Sequence, residues 1–252
     1  MNSFLGKVAI VTGASAGIGR ATAIDFAEKG AHVVVADVNV LEGNATVSQI
    51  KGMDRKAIFV RCDVANEKDV AAMVASTMHE YGRLDFACNN AGIEGTSALL
   101  AEMKTVDWQR VINVNLTGVF LCMKYEIPEI LKSGGAIVNM ASILGQVGFA
   151  GAAAYTAAKH GVLGLTKVAA LEYSAKGIRV NAVCPAFIAT PMLERAGITS
   201  DKNVRRAMEG MHPIGRLGEP EEIAKVVTWL CTPDASFVAG EALLVDGGYV
   251  AR

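Results

Sequence analysis

Seven short runs of apolar, largely β-branched residues punctuate the chain: 7–13 (KVAIVTG), 32–37 (HVVVAD), 56–63 (KAIFVRCD), 84–92 (LDFACNNAG), 135–142 (GAIVNMAS), 178–186 (IRVNAVCPA) and 241–248 (EALLVDGG). Most have continuously apolar centres rather than alternating ones. That is the pattern of strands buried on both faces, and so of a parallel sheet covered by helices on each side. Between the runs, helical patterning falls near 17–30, 40–51, 66–81, 106–132, 152–176 and 220–231, and Asn66, with Asp69 three residues on, is placed to cap the third of these. No repeat, low-complexity stretch or Pro/Gly/Ser linker divides the chain. The expectation is α/β: one doubly wound domain over residues 1–252, with a seven-stranded parallel sheet flanked by helices. Residues 187–215 break the rhythm. They follow a strand, carry several Met and charged residues, and are long for a connection, so they read as a substrate-binding lid.

Charge removes some functions from consideration. The net charge is −1, with Lys and Arg spread along the chain, so there is no electrostatic footprint for nucleic acid or for an anionic membrane. Residues 133–158 lack any charge and exceed the roughly 20 residues of a membrane-spanning helix. Their five glycines, with Asn139, Ser142, Gln146 and Tyr155, fit a buried strand, a loop and a helix start instead. The opening MNSFLGKVAIVTGAS lacks the build of a secretory signal. Cys62, Cys88, Cys122, Cys184 and Cys231 show no C-x-x-C spacing and read as buried thiols in a reducing, cytoplasmic compartment. The four histidines have no metal-ligand spacing, and no metal is expected.

Two patterns carry chemistry. The first run ends in TGASAGIG (12–19), where Gly13, Gly17 and Gly19 mark a strand-to-helix turn that lets a phosphate approach the backbone and the helix amino terminus. Its G-x-x-x-G-x-G spacing differs from the usual dinucleotide fingerprint. Asp37 ends the second run about 20 residues further on, where a carboxylate binds an adenosine ribose and repels a 2′-phosphate. With Ala16 in the loop and no Arg or Lys close by in sequence, this Rossmann-type arrangement favours NAD over NADP. In the second pattern, Tyr155 and Lys159 stand at i and i+4 in an alanine-rich helical segment, so they share a face. An adjacent ammonium favours phenolate and is expected to draw the phenol below its ordinary value near 10, making a general acid/base. Ser142 ends the fifth run, at the carboxyl edge where such sheets bind ligands.

Taken together, TGASAGIG, Asp37, Asp63-Val64, NNAG (89–92), Asn115 in NVNLTG, Ser142, YTAAK (155–159), CPAFIATPM (184–192) and DGG (246–248) resemble the short-chain dehydrogenase/reductase family over nearly the whole length. The resemblance implies that Tyr155 exchanges the proton with the substrate oxygen, which Ser142 holds. It implies that Lys159 binds the nicotinamide ribose and lowers the tyrosine pKa. Asn115 would distort its helix and seat a water linking Lys159 to solvent. Gly13, Ser15, Gly17, Ile18 and Gly19 would cradle the cofactor, and Asp63 and Val64 would border its adenine. Asn89, Ala91 and Gly92 would line it, Asn89 also bracing the central strands, with Pro185, Ala186, Ile188 and Thr190 around the nicotinamide half. The family commonly has Gly where this chain has Ala186, which puts the backbone path there in question.

By position, Ile93, Glu94, Ile143, Leu144, Phe149, Phe187, Met192, Met208 and Met211 form the expected substrate pocket. It is apolar and Met-rich except for Glu94, which suits a hydrophobic secondary alcohol or ketone, or a diol held by the carboxylate. The reading is an NAD-dependent oxidoreductase interconverting a secondary alcohol or diol and a ketone. The alternatives are a 3-oxoacyl-[acyl-carrier-protein] reductase, a glucose-type sugar 1-dehydrogenase and a cofactor-sensing binding protein. Small residues along 152–176, from Ala153 to Gly164, admit close helix packing. With the resemblance they imply a homotetramer.

Overall fold

The computed structural model describes residues 3–195, 197 and 201–251. Both ends of the span 1–252, and residues 196 and 198–200 of the expected lid, lie outside the described residues. Seven strands form one sheet: β1 (Val8–Thr12), β2 (His32–Asp37), β3 (Ala57–Arg61), β4 (Phe86–Asn89), β5 (Gly135–Met140), β6 (Ile178–Pro185) and β7 (Ala242–Val245). Their order is β3-β2-β1-β4-β5-β6-β7, and every pairing is parallel. The continuous apolar runs are explained by two cores. Val8 and Ile10 of β1 join one cluster with α3 (Glu67–Tyr81), α5 (Gly118–Ile130) and α6 (Ala153–Tyr173). Ala9 and Val11 join the other, with α1 (Gly17–Glu28), α2 (Val40–Gly52) and α9 (Pro220–Cys231). Strand order reverses between β1 and β4, so the loops leaving them part and open a crevice at the carboxyl edge.

Several element ends differ from the sequence expectation, each because a side chain competes for the backbone. The pattern over 106–132 becomes α4 (Thr105–Ile112), a π-helical turn (Asn113–Thr117) and α5, with the Gly118 amide donating to Asn113 O five residues back. The run 84–92 keeps only Phe86–Asn89 in the sheet, because the Asn90 and Ala91 amides turn to Thr12 Oγ1. The run 241–248 stops at Val245, where the Asp246 carboxylate accepts from Gly248 N and Val250 N. Asn66 caps α3 by accepting from Lys68 N, and Asp69 accepts from Asp63 N and pairs with Arg61. The lid segment holds α7 (Pro191–Arg195) and α8 (Lys202–Gly210) and is tied back by an isolated bridge between Ile188 and Gly218. The uncharged stretch 133–158 is β5, a short 3-10 turn at Ile143–Gly145 and the start of α6, and no described helix is long and apolar enough to cross a membrane.

Candidate active site

The glycine-rich turn after β1 is bound tightly to the loop after β4. Asn90 Nδ2 donates to Thr12 O at 2.9 Å and to Gly13 O at 3.2 Å. Gly13 has φ of +64°, and a Cβ there would lie 2.8 Å from Ala91 Cα; a Cβ on Gly19 would lie 2.1 Å from Gly13 O. Glycine is therefore required by close backbone approach. Helix α1 opens at Gly17 behind Ala16, with no side-chain cap and no acidic residue in its first turn. Its leading amides and positive dipole end suit a phosphate, so the cradle fits a dinucleotide. Asp37 stands beside it: Oδ2 accepts from Ser15 N at 3.0 Å and Oδ1 from Asn39 N at 2.9 Å. The fold also brings up Arg20, a cation the local sequence reading did not place here. Its guanidinium is bound by Glu42 at 2.6 Å and by Thr46 Oγ1. Across the crevice, Asp63 accepts from Ala65 N, and buried Val64 packs where Gly118 lacks a side chain.

Ser142 follows β5 and accepts from Leu144 N at 3.2 Å, which fixes its side chain at the head of the 3-10 turn. Tyr155 and Lys159 come from consecutive turns of α6. Lys159 is 3% exposed; its Nζ donates to Met140 O at 2.6 Å and lies 5.4 Å from the Tyr155 ring centroid. Burial lowers the lysine to about 8, with Cys184 opposing. Tyr155 keeps part of its surface open to the cavity, yet it is ringed by protein. Burial raises its phenol to about 12; a hydrogen bond with Ser142 opposes the rise and the Glu94 charge adds to it. This corrects the spacing argument, which had the ammonium drawing the phenol down. Desolvation prevails, and Lys159 Nζ is directed to Met140 O and the ring face. Asn115, fully buried in the π turn, clamps the loop after β4: its Oδ1 accepts from Ile93 N at 2.8 Å and its Nδ2 donates to Ile93 O at 2.7 Å.

Ser142, Tyr155 and Lys159 face a cavity of about 240 Å³. Ile18, Gly92, Pro185, Ala186, Ile188 and Thr190 border it, as do Glu94, Ile143, Leu144, Phe187 and Met192. Asn115 acts from behind, through the backbone of Ile93, which is expected in the pocket but is not among the lining residues. Phe149 stands 6.3 Å from Phe187, ring to ring, outside the lining. Met208 and Met211 on and after α8 are not among the lining residues either. Met208 O instead receives His212 Nδ1 at 2.8 Å, and His212 packs edge-on against Phe187. Asn90, Met140, Ala141, Ala152 and Leu193 line the cavity without having been anticipated. Asn90 was readable in NNAG; the others are apolar residues that only the fold brings here. Ala186 is not strained, since Asp54 is the one non-glycine residue with positive φ among the described residues.

The sequence and the fold recur in known proteins. The model of a family described as Enoyl-(Acyl carrier protein) reductase matches residues 13–250. A cyclohexanol dehydrogenase of Acinetobacter sp. (strain SE19) is 46% identical over 252 residues, covering 100% of this chain and 98% of its own. The chain belongs to the short-chain dehydrogenase/reductase family. A family member from Sphingobium indicum (strain DSM 16412 / CCM 7286 / MTCC 6364 / B90A), a 2,5-dichloro-2,5-cyclohexadiene-1,4-diol dehydrogenase, is 46% identical with both chains fully covered. The crystal structure of levodione reductase superposes with a TM-score of 0.94 at 38% identity, covering 99% of each chain. The chain is thus an oxidoreductase of CH–OH groups that works with a nicotinamide cofactor.

Proposed function

We propose that this enzyme is an NAD-dependent dehydrogenase of small cyclic secondary alcohols and diols. The observation that carries the reading is the cavity itself: Ser142 and Tyr155 present hydroxyls to an apolar enclosure walled by Ile143, Leu144, Phe187 and Met192, with one carboxylate, Glu94, on its lining. The apolar walls on the substrate side suit a small ring, consistent with relatives named for cyclohexanol and a cyclohexadiene diol. The glycine-rich turn, Asp37, the 90–92 loop, Lys159, Ala186, Ile188 and Thr190 would hold the cofactor, which when bound accepts the hydride from the carbinol carbon or returns it. Ser142 Oγ hydrogen-bonds the substrate oxygen and sets its distance from Tyr155. In oxidation the Tyr155 phenolate takes the hydroxyl proton; in reduction the phenol gives it back. Lys159, as ammonium, stabilises that phenolate and offers the protons not used on Met140 O. Glu94 accepts from a second hydroxyl.

Asp37 supports NAD, because its carboxylate beside the loop repels a 2′-phosphate and Glu42 neutralises Arg20. The five buried, unpaired thiols suit a reducing, cytoplasmic setting. The test is absorbance at the reduced-nicotinamide band with NAD and NADP in parallel, against cyclic monoalcohols, cyclic diols, open-chain alcohols and sugars. Turnover with NAD on the cyclic substrates is expected. A strict NADPH preference with acyl thioester ketones would replace this reading by the carrier-protein reductase.

A further inference from the structure

We infer that Glu126 is held as a neutral carboxylic acid that donates its proton to Asn89 Oδ1, and that this acid–amide pair positions the strand ends on which the active site is built. Glu126 lies on the inner face of α5 with no exposure to solvent. Asn89 Nδ2 donates to Glu126 Oε2 at 3.0 Å and to Asn139 Oδ1 at 3.1 Å. Two buried oxygens on these joined side chains have no partner, Glu126 Oε1 and Asn89 Oδ1. A carboxylate oxygen and an amide oxygen both only accept, so an ionised Glu126 leaves both unmatched. A single proton on Oε1, shared with Oδ1, satisfies both and closes a ring of two hydrogen bonds between acid and amide.

The titratable groups within reach of the carboxyl are Cys62 beyond β3, Cys88 on β4 and Cys122 on α5, all three thiols raised chiefly by burial. Burial and the Asn89 bond are the influences on Glu126 itself, with no cation among them, and burial raises it to about 7. The pair is one end of a longer chain. Asn139 Nδ2 donates to Thr166 Oγ1 at 3.0 Å, and Thr166 Oγ1 donates to Val162 O at 2.8 Å. Side-chain hydrogen bonds thus run from α5 through β4 and β5 into α6, two turns beyond Lys159. Asn90, which binds the glycine-rich turn, is the next residue after Asn89. Glu126 is therefore a positioning residue for both the cofactor loop and the catalytic helix.

Glutamine reproduces the ring, since its Nε2 donates to Oδ1 and its Oε1 accepts from Nδ2, whereas leucine leaves Asn89 Oδ1 unmatched and Nδ2 with Asn139 as its one acceptor. The full-length enzyme, wild type and E126Q, is compared by difference infrared spectroscopy at about pH 6 and by thermal unfolding across pH. The wild type is expected to show a protonated-carboxyl carbonyl band that E126Q lacks. A folded-state value raised from 4.5 to about 7 means the folded chain holds a proton the unfolded chain releases, so wild-type Tm falls relative to E126Q across that window and runs parallel above it. E126Q keeps kcat/KM within about twofold while E126L loses about tenfold or more, because only leucine leaves Asn89 Oδ1 buried without a partner. Parallel Tm curves through the window, a band that persists in E126Q, or an E126Q enzyme as impaired as E126L would overturn the proposal. Should E126Q not fold, N89A serves: losing the acceptor shifts the band, and an absent or unshifted band overturns it.

Discussion

At the scale of single residues, the chemistry rests on moving one proton against a large desolvation effect. Burial and the charge of Glu94 push Tyr155 up to about 12, and Ser142 eases it. Replacing Glu94 with Gln removes one of the two raising influences. The phenolate then forms at lower pH, and the rising limb of kcat/KM for oxidation is expected to move to lower pH, with Tyr155→Phe inactive as the control. The same change should raise KM for a cyclic diol more than for a monoalcohol, since only the diol has a second hydroxyl for the carboxylate. A pH profile that does not move, with KM for both substrates unaltered, would place Glu94 outside the reaction. The tyrosine, lysine and serine were legible in the sequence from spacing and strand position. The direction of the tyrosine shift was not, because i, i+4 spacing reports proximity but not burial. Glu126 was equally hidden: a lone glutamate in a helical pattern reads as surface until packing shows it enclosed.

At the scale of elements, the strands were legible because burial on both faces leaves an unbroken apolar run, and Val8 through Val11 show the reason, alternate residues feeding the two cores. The element ends were less so, since they are decided by side chains from elsewhere, such as Thr12 drawing Asn90 and Ala91 off the sheet. The π turn is the clearest case. Helical periodicity runs through residues 106–132, yet the amide of Asn115 finds both partners on Ile93, and a widened turn is what delivers it there. This sets a prediction for the element. Asn115→Leu strands the Ile93 amide and carbonyl, which at roughly 1–3 kcal/mol per unsatisfied group lowers stability by several kcal/mol. In a chain of this length Tm should fall by about 5–10 °C. Asn115→Asp keeps the acceptor and loses the donor, so calorimetry should place it between wild type and leucine. If leucine unfolds with the wild-type Tm but turnover collapses, the clamp is not what Asn115 contributes.

At the scale of the whole molecule, the catalytic helix faces two ways. On one side of α6, Lys159, Val162 and Thr166 are packed into the sheet core; further along, Val168 is 51% and Leu171 86% exposed. Neighbouring elements add Phe120 on α5 at 47% and Val106 on α4 at 72%. Apolar side chains left open over three adjacent helices are the material of a subunit interface, at about 25 cal/mol per Å² once covered. Together with Gly164, whose missing side chain leaves open space, they fit the homotetramer that the family resemblance implies, whereas Gly161 is small to admit Leu116 of its own chain. Light scattering on the purified enzyme is expected to give about four times the 26.4 kDa of one chain. Leu171→Arg places a charge in that face and should lower the mass by at least half. Because Tyr155 and Lys159 ride on the same helix, the smaller species should also lose thermal stability and turnover together. A monomer in the wild type removes the assembly, and a dissociated variant that keeps full activity would show that α6 is held by the Asn89, Asn139 and Thr166 bonds of its own chain alone.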